Sequence, residues 1–308
     1  MKFRIGTRGS ALALAQSGDV AARLRARGHE AELVVVSTTG DRVTDRAFAD
    51  VGAFGVFVRE LEIALLDGSI DAAVHSYKDV PSRMPLGLLI GAVPERVDAA
   101  DVLLVRRDVH RPDRGEIPLA DGARVGTSAT RRRALLLNAR PDLVAGMLRG
   151  NVPTRVRALR DGTFDAIVLA AAGLERLARA DGEHRLALAD DVVAVRLDPA
   201  RFVPAPSQGA IAVQVRENDM AARTAVAELD EPACRRTVQA ERAALHLADG
   251  GCTLPFGAWC TTAESGMLTL VAALGLEDGS VARSTATGTD PHAVAQAAWS
   301  DLAREVRT

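Results

Sequence analysis

The stretch GSIDAAV at Gly68–Val74 decides the fold, because it recurs later in the chain as GTFDAIV at Gly162–Val168. In both copies a glycine is followed two residues on by a bulky apolar residue, then by an aspartate and an apolar run. Glycine is typical of the position after a helix C-terminus, and a short apolar run is typical of a buried strand. Each copy therefore predicts a helix that ends at the glycine and continues into a buried strand.

A second short pattern recurs in the same order along the chain. RIGT at Arg4–Thr7 recurs as RVGT at Arg124–Thr127, and each copy is predicted to end a strand and open a helix. Two repeats in the same order and the same structural context indicate two α/β lobes of similar build.

Helix-start signals support this organisation. Ser10 is predicted to cap a helix that runs to about Arg27, Ser128 to cap one through Leu137, and Asn151 to cap a third. Alternation of helices and strands predicts mostly parallel sheets. The predicted buried strands are 31–37, 71–75, 101–106, 143–148 and 165–169.

The chain after residue 218 has a different pattern. A helical stretch runs to Ala248, and Trp259–Thr262, Met267–Leu276 and Ser280–Thr287 read as strands, the last two joined by a hairpin turn. A last helix is predicted at Pro291–Val306.

We therefore expect an α/β fold with two similar lobes, like those of periplasmic binding proteins, that face each other across a cleft. A small C-terminal α+β domain with a three-stranded antiparallel sheet follows them. The predicted division is 1–100 with 197–217 for the first lobe, 101–196 for the second and 218–308 for the last domain.

Composition excludes several classes of protein. The chain has 308 residues, 48% of them hydrophobic, and a net charge of −2, which argues against a generic nucleic-acid binder. It has no apolar signal region at its start and no apolar run that could span a bilayer. Its three cysteines form no C-x-x-C pair, and no histidine lies at metal-ligand spacing. We expect a cytoplasmic protein with no metal site, no membrane segment and no nucleic-acid partner.

Cys252 follows two glycines in DGGCTLP, residues 249–255. The glycines leave room beside the thiol for a bulky group. The residues alone allow either a free cysteine that starts a strand or a thiol that serves as a nucleophile or attachment point.

Arginines follow the predicted strand ends. Lysine occurs only at positions 2 and 78, so 36 of the 38 basic residues are arginine. Ligands of open α/β sheets bind at the carboxyl ends of the strands, and arginine grips carboxylates in a bidentate manner. The pattern favours an anion-binding cleft, although so arginine-rich a chain places arginine on all its surfaces. The arginines at strand ends are Arg8, Arg131, Arg132, Arg149 and Arg176.

HSYKDVP at His75–Pro81 follows the predicted strand 71–75. Asp79 is a candidate general acid or base, or a group that stabilises a cationic intermediate; the alternative is a loop aspartate paired with Lys78. His75 lies within an apolar strand and is interpreted as a core residue.

Several runs together resemble the porphobilinogen deaminase (hydroxymethylbilane synthase) family over nearly the whole chain. These runs are IGTRGS at 5–10 with Gln16, AVHSYKDVP at 73–81, GTSATRR at 126–132, LRGN at 148–151 with Arg155, AGLER at 172–176, PAPSQG at 204–209 and GGC at 250–252.

The resemblance implies a transferase of haem and tetrapyrrole biosynthesis, expected to be a monomer. Such an enzyme joins four porphobilinogens head to tail, with loss of ammonia, on a dipyrromethane cofactor, and releases hydroxymethylbilane. The resemblance makes Cys252 the thioether attachment of that cofactor and Asp79 the catalytic carboxylate. The residues that it implies hold the cofactor's carboxylates are Lys78, Thr127, Ser128, Arg131 and Arg132. The residues that it implies bind the substrate and product rings are Arg8, Ser10, Gln16, Arg149, Arg155, Arg176 and Gln208.

The chain departs from the family pattern at two places. Asp50 and Phe54 stand where many family members have lysines, and Ala129 replaces a position often occupied by serine. The second class of function that the sequence allows is a non-enzymatic, two-lobed anion-binding or solute-binding protein, which would give Cys252 no role.

Overall fold

The computed structural model describes residues 2–36, 58–180, 182, 188, 190–248 and 254–305. Asp50 and Phe54, where the chain departs from the family pattern, lie outside these residues, and so does Cys252, the predicted attachment of the cofactor. The chain divides into two compact units. The first comprises 1–97, 180–184 and 209–236, and the second comprises 98–179, 185–208 and 237–308. The three-domain division stays a prediction.

The secondary structure alternates strands and helices over most of the chain. The strands are β1 Lys2–Thr7, β2 Glu30–Val35, β3 Ala72–Ser76, β4 Leu88–Ala92, β5 Asp101–Arg106, β6 Arg124–Gly126, β7 Val144–Gly146, β8 Ala166–Ala170, β9 Val192–Arg196, β10 Ile211–Arg216, β11 Phe256–Thr262, β12 Leu268–Gly275 and β13 Val281–Gly288. The helices are α1 Ala11–Arg25, α2 Arg59–Leu66, α3 Thr130–Ala139, α4 Val152–Arg160, α5 Ala171–Arg179, α6 Met220–Ala227, α7 Pro232–Leu247 and α8 Pro291–Glu305.

Each unit contains a five-stranded mixed sheet, and the two sheets have the same topology. The orders are β2-β1-β3-β10-β4 in the first unit and β7-β6-β8-β5-β9 in the second. In each sheet the first three strands are parallel, and the fourth is antiparallel to both of its neighbours. The predicted α/β class with two similar lobes is confirmed.

The antiparallel strand is where the structure differs from the expectation of mostly parallel sheets. β5 follows the passage of the chain into the second unit at 97–98, and β10 follows its return at 208–209. A parallel neighbour needs a long crossover connection within its own unit, usually a helix. A strand that enters from the other unit has no such crossover and here runs in the opposite direction.

The two glycines of the RIGT and RVGT patterns are required by close packing. A Cβ at Gly6 would overlap the side chain of Ile70, and one at Gly126 would lie 2.9 Å from Leu148 and 3.0 Å from Phe164. Ile70 and Phe164 are the bulky residues before the aspartates of the longer repeat. The two sequence repeats therefore contact each other inside each unit.

Two of the three predicted helix caps are present. Ser10 Oγ accepts the Ala13 N–H at 3.3 Å, and Asn151 Oδ1 accepts the Thr154 N–H at 3.0 Å. The prediction that Ser128 caps a helix is wrong: α3 begins two residues later, with Ala129 at the N-cap position and no side-chain cap.

The C-terminal part forms the predicted three-stranded antiparallel sheet, in the order β11-β12-β13. α8 packs on this sheet and buries Val294, Ala298 and Leu302 against the alternate apolar residues of β12. In the described part of the chain, no helix combines the length and the apolar character needed to cross a membrane.

Candidate active site

In the first unit the predicted site residues meet at the carboxyl edge of the parallel strands. β1 and β3 are parallel neighbours, with Ile5 beside Ala72. Arg8 follows the end of β1, and Lys78 and Asp79 belong to a 3₁₀ turn that follows β3. The strand register thus brings a guanidinium, an ammonium and a carboxylate to one edge, as the sequence predicted.

Asp79 is exposed at the end of this turn. Within the described ranges no ion pair joins it to Lys78, and no hydrogen bond reaches its carboxylate. An exposed carboxylate of this kind is accessible to a reacting molecule.

Gln16 fastens the end of β3 to α1. Its Nε2 donates to Ser76 Oγ at 2.9 Å, and Ser76 Oγ lies 3.2 Å from Gln16 Oε1. The Gln16 side chain is buried, at 4% exposure. The contact shows how Gln16 supports the turn that carries Lys78 and Asp79, while its predicted contact with substrate stays a prediction.

A buried polar chain lies beneath the same turn. His75 Nε2 lies 3.0 Å from Gln214 Oε1, and Gln214 Nε2 donates to Glu62 Oε1 at 3.1 Å. Burial lowers the pKa of His75 to about 4, against the opposing hydrogen bond to Gln214 Oε1, and the charge of Arg8 lowers it further. Burial raises the pKa of Glu62. A neutral His75 donates from Nε2, in agreement with its interpretation as a core residue.

In the second unit Thr127 and Ser128 connect β6 to α3. Thr127 is buried, and its Oγ1 accepts the Ala129 N–H at 3.2 Å. The Ser128 side chain is exposed at the helix entrance.

Arg131 and Arg132 are buried, at 5% and 6% exposure, in the first turn of α3. Arg131 donates from Nη2 to Asp101 Oδ2 at 2.8 Å and from Nη1 to the Val203 carbonyl at 2.6 Å. Arg132 donates to Asp101 Oδ1 from Nη2 at 2.7 Å and from Nε at 3.2 Å. Its Nη1 also donates to the Val168 carbonyl at 3.0 Å.

Asp101 is fully buried at the start of β5, and it was not recognised as a site residue from the sequence. Burial by itself would raise the pKa of Asp101. The charges of Arg131 and Arg132, with hydrogen bonds from Arg132 and Gln208, instead hold that pKa well below its usual range. The available sequence signal was an acid at the head of an apolar strand, since a buried carboxylate needs a partner.

Gln208 also reaches Asp101. Its Nε2 donates to Asp101 Oδ1 at 2.9 Å and to the Ala99 carbonyl at 2.8 Å, and the side chain is 1% exposed. The predicted contact between Gln208 and substrate stays a prediction, because in this structure the amide nitrogen faces the protein.

The remaining predicted arginines of this unit lie nearer the surface. Arg149 is exposed three residues after β7, and Arg155 and Arg176 are half-buried. Arg155 Nε donates to the Gly150 carbonyl at 2.7 Å. β6, β7 and β8 are parallel, so the residues after their carboxyl ends fall at the edge that also holds Thr127.

A dipyrromethane with an acetate and a propionate on each ring fits this chemistry. Two guanidinium groups share one carboxylate, so the cluster keeps a formal charge of +1 and N–H donors beyond those bonded to protein oxygens. Such a cluster suits a ligand carboxylate.

Two family models match the chain. "Porphobilinogen deaminase, dipyromethane cofactor binding domain" matches residues 3–224, and "Porphobilinogen deaminase, C-terminal domain" matches residues 235–306. The match over most of the chain does not favour the alternative of a binding protein without activity.

Curated relatives carry the same family name. The chain is 46% identical over 279 residues to the porphobilinogen deaminase of Syntrophobacter fumaroxidans, which covers 90% of this chain and 85% of the relative. It is 43% identical over 296 residues to that of Brevibacillus brevis, with 95% and 91% covered.

Among solved structures, the chain is similar to a periplasmic substrate-binding protein of an ABC transporter from Coxiella burnetii. The identity is 18%, the TM-score is 0.43, and the alignment covers 76% of this chain and 94% of that one. The periplasmic VFT2 domain of Bordetella pertussis BvgS is 16% identical with a TM-score of 0.43, covering 74% and 86%. On the family models and the curated relatives, the chain belongs to the porphobilinogen deaminase (hydroxymethylbilane synthase) family, transferases of tetrapyrrole and haem biosynthesis that deaminate and join porphobilinogens on a dipyrromethane cofactor.

Proposed function

We propose that this chain performs the family reaction with Asp79 as the catalytic carboxylate and Cys252 as the attachment of the cofactor. The observation that carries the division of roles is the contrast in burial. Asp79 is exposed at a strand end, whereas Arg131 and Arg132 are buried around Asp101 with surplus positive charge. An exposed acid suits a group that acts on successive substrates, and a buried cationic cluster suits a group that stays in place.

The role of Asp79 follows from the charge that the reaction develops. Loss of ammonia from porphobilinogen leaves a cation, and a nearby carboxylate lowers the free energy of that cation. The same carboxyl group can hold a proton for the departing amine and accept one from the new ring junction.

The cofactor, when bound, supplies the pyrrole to which the first substrate is joined. Arg131 and Arg132 would hold its carboxylates, with Lys78, Thr127 and Ser128 as further donors. Arg131 and Arg132 are held by Asp101 and by the carbonyls of Val203 and Val168, so little side-chain entropy is lost on binding.

Incoming substrate and product rings would be bound at the strand ends and the residues beside them. Arg149 is exposed and Arg8, Arg155 and Arg176 are half-buried, so their guanidinium groups are reachable by carboxylates in solution. Ser10, Gln16 and Gln208 complete the proposed set. Gln16 and Gln208 would act through the backbone and side chains that they hold.

Cys252 as the attachment point is supported by the burial of the other cysteines. Cys234 and Cys260 are 8% and 3% exposed. Thiols in such surroundings are poor nucleophiles, because the surrounding side chains keep a reacting group away from the sulfur. We also propose that the enzyme works as a cytoplasmic monomer with the three domains predicted from the sequence, and that it has no nucleic-acid partner.

Intact-protein mass tests the attachment. The purified protein should exceed its sequence mass by one dipyrromethane, and Cys252→Ser should have the bare sequence mass, because a serine hydroxyl is a far poorer nucleophile than a thiolate. Cys234→Ser and Cys260→Ser are the matched controls and should keep the added mass. An adduct that maps to either of those cysteines by peptide mass spectrometry would contradict the assignment.

A further inference from the structure

We infer that Asp101 is a positioning residue of this enzyme, which aims Arg131 and Arg132 at the ligand and sets the charge of their cluster. The inference rests on the proposed role of the two arginines in holding the cofactor. The sequence patterns do not single out this aspartate.

The geometry leaves Asp101 little freedom. Its two oxygens divide the arginines between them: Oδ2 accepts from Arg131 at 2.8 Å, and Oδ1 accepts from Arg132 at 2.7 and 3.2 Å. Gln208 donates to Oδ1 at 2.9 Å. Charge-assisted hydrogen bonds of this length fix both the distance and the plane of a guanidinium group.

The remaining contacts of the arginines point the same way. Each arginine uses one further nitrogen on a carbonyl, Arg131 on Val203 and Arg132 on Val168. Each guanidinium group is thus held at two points, by Asp101 and by a backbone carbonyl. Asp101 therefore determines the direction in which the remaining N–H groups point. Without Asp101, each arginine keeps one carbonyl contact and can rotate about it.

The charge balance also depends on Asp101. With it, two guanidinium groups and one carboxylate give a formal charge of +1 in a site where both arginine side chains are 6–7% exposed. Without it, two buried cations lie side by side, which burial opposes strongly. With Asp101 in place, a single carboxylate of the ligand brings the formal charge of the cluster from +1 to zero.

Two substitutions separate position from charge. Asp101→Asn keeps the shape but removes the charge, and its amide N–H₂ faces a donor. Asp101→Glu keeps the charge but moves the carboxylate by one methylene. Because Asp101 is fully buried, the longer side chain cannot turn towards solvent. Asp165→Asn is the matched control, because Asp165 pairs with Arg124 and Arg106 in the same unit but at the opposite edge of the sheet.

The experiment follows cofactor loading. Full-length proteins made in a host without porphobilinogen are given porphobilinogen, and the added mass is followed by intact-protein mass spectrometry at several concentrations. For Asp101→Asn and Asp101→Glu we expect the concentration for half-maximal loading rate to rise by about tenfold or more, as for the loss of a hydrogen bond to a charged group. A folding defect alone would lower the fraction of protein that loads and leave this concentration unchanged.

The outcomes distinguish the inference from the roles on which it rests. Asp165→Asn should load like the parent. If Arg131→Leu and Arg132→Leu fail to load but either Asp101 variant loads within twofold of the parent's half-maximal concentration, the inference about Asp101 is overturned alone. If the arginine variants themselves load normally, the proposed role of the arginines fails. Should Asp101→Asn not fold, Asp101→Glu decides the matter by the same measurement.

Discussion

The sheets of the two units share a polar cluster at one edge and differ at the other. At the amino-terminal edge of the parallel strands, Arg4 binds Asp71 through its Nε at 3.1 Å and its backbone N–H at 2.9 Å. In the second unit Arg124 binds Asp165 through the same two groups, at 3.4 and 2.8 Å. The Arg and Asp of the two sequence repeats are therefore scaffold, present twice because the sheet is present twice.

A second arginine completes each cluster. Arg216, at the end of β10, contacts Asp71 at 3.4 Å and Asp219 at 2.5 Å, and Arg106, at the end of β5, contacts Asp165 at 3.9 Å and Asp108 at 2.5 Å. In each sheet the antiparallel strand is thus tied to the adjacent strand of the parallel set, β3 or β8, by the same chemistry.

The carboxyl edges have diverged. The antiparallel strand begins with Ile211 beside Ser76 in the first unit and with Asp101 beside Ala170 in the second. One residue along, His75 of β3 pairs with Ala212, and Leu169 of β8 pairs with Val102. A shared scaffold therefore carries a neutral buried histidine below an exposed acid in one unit, and a buried aspartate below two arginines in the other.

The buried arginines should give the largest effect. Arg131→Leu and Arg132→Leu each leave Asp101 a buried carboxylate with one cation fewer, which costs about 3–5 kcal/mol of stability for a broken buried pair. We expect mostly cofactor-free protein with a lowered unfolding midpoint, measured by intact mass and denaturant titration.

Arg149→Leu and Arg155→Leu are the matched comparison. Arg149 is exposed and Arg155 is half-buried, so the loss of either should leave the stability nearly unchanged. These variants should carry cofactor and stall during elongation, by about 10–100-fold for a lost contact with a charged group. Identical cofactor content and identical stalling in all four variants would falsify the division of roles between buried and exposed arginines.

Asp79→Asn should give the next largest effect. The change keeps the shape and removes the charge, so turnover should fall by at least ~10² if the carboxylate both stabilises the cation and moves protons. Steady-state kinetics on cofactor-loaded protein measures this, with the stability of the variant as control. Turnover near that of the parent would make Asp79 a structural residue of its turn.

Local patterns in the sequence were sufficient for the scaffold. Gly68 and Gly162 after the helix ends, the cap of α1 at Ser10 and the alternation in the last sheet depend on neighbours along the chain, and the structure has them. The expected cap at Ser128 is absent because the helix begins at Thr130, which places Ala129 at the N-cap position.

Contacts between residues far apart in the chain were beyond the sequence. Asp101 meets Gln208 across 107 positions, and His75 meets Gln214 across 139. Nothing in either neighbourhood specifies the partner, since amides and carboxylates accept many donors. The resemblance supplied the candidate residues, and the fold separates buried Gln16 and Gln208 from exposed Arg149.

The histidine of the first unit predicts a pH dependence that the second unit lacks at the equivalent position, where Leu169 lies. The folded-state pKa of His75 is lowered to about 4 from 6.5, so below pH 6.5 the unfolded chain takes up a proton that the folded protein refuses. This contribution to stability is complete above pH 6.5 and is lost as the pH falls towards 4. Between pH 7 and pH 5 the loss should be about 2 kcal/mol.

Glu62 and Arg8 are the charged groups that bear on this measurement. The raised pKa of Glu62 acts in the opposite sense, since its contribution is lost as the pH rises through its folded value. His75→Gln keeps a donor for Gln214 and has no titration, so the difference between the parent and this variant isolates the histidine. Hydrogen exchange of β3 at pH 5 and pH 7 is the readout, and equal slopes in both proteins would contradict a buried neutral histidine.

The smallest expected difference lies between the two scaffold clusters themselves. The Asp71 side chain is 9% exposed and that of Asp165 is 18% exposed. Burial acts to raise the pKa of Asp71, but hydrogen bonds and charge from Arg4 and Arg216 hold it below its usual value. The more buried carboxylate leaves its arginines more poorly solvated when it is removed, so Asp71→Asn should destabilise its unit by about 1 kcal/mol more than Asp165→Asn destabilises the other.

Since each change affects its own sheet, the two are compared by hydrogen exchange of β1 and β3 against β6 and β8. Turnover of both variants should stay near that of the parent, because both clusters lie at the edge away from Asp79, Arg131 and Arg132. A larger loss from Asp165→Asn would mean that burial of the aspartate does not rank the two clusters.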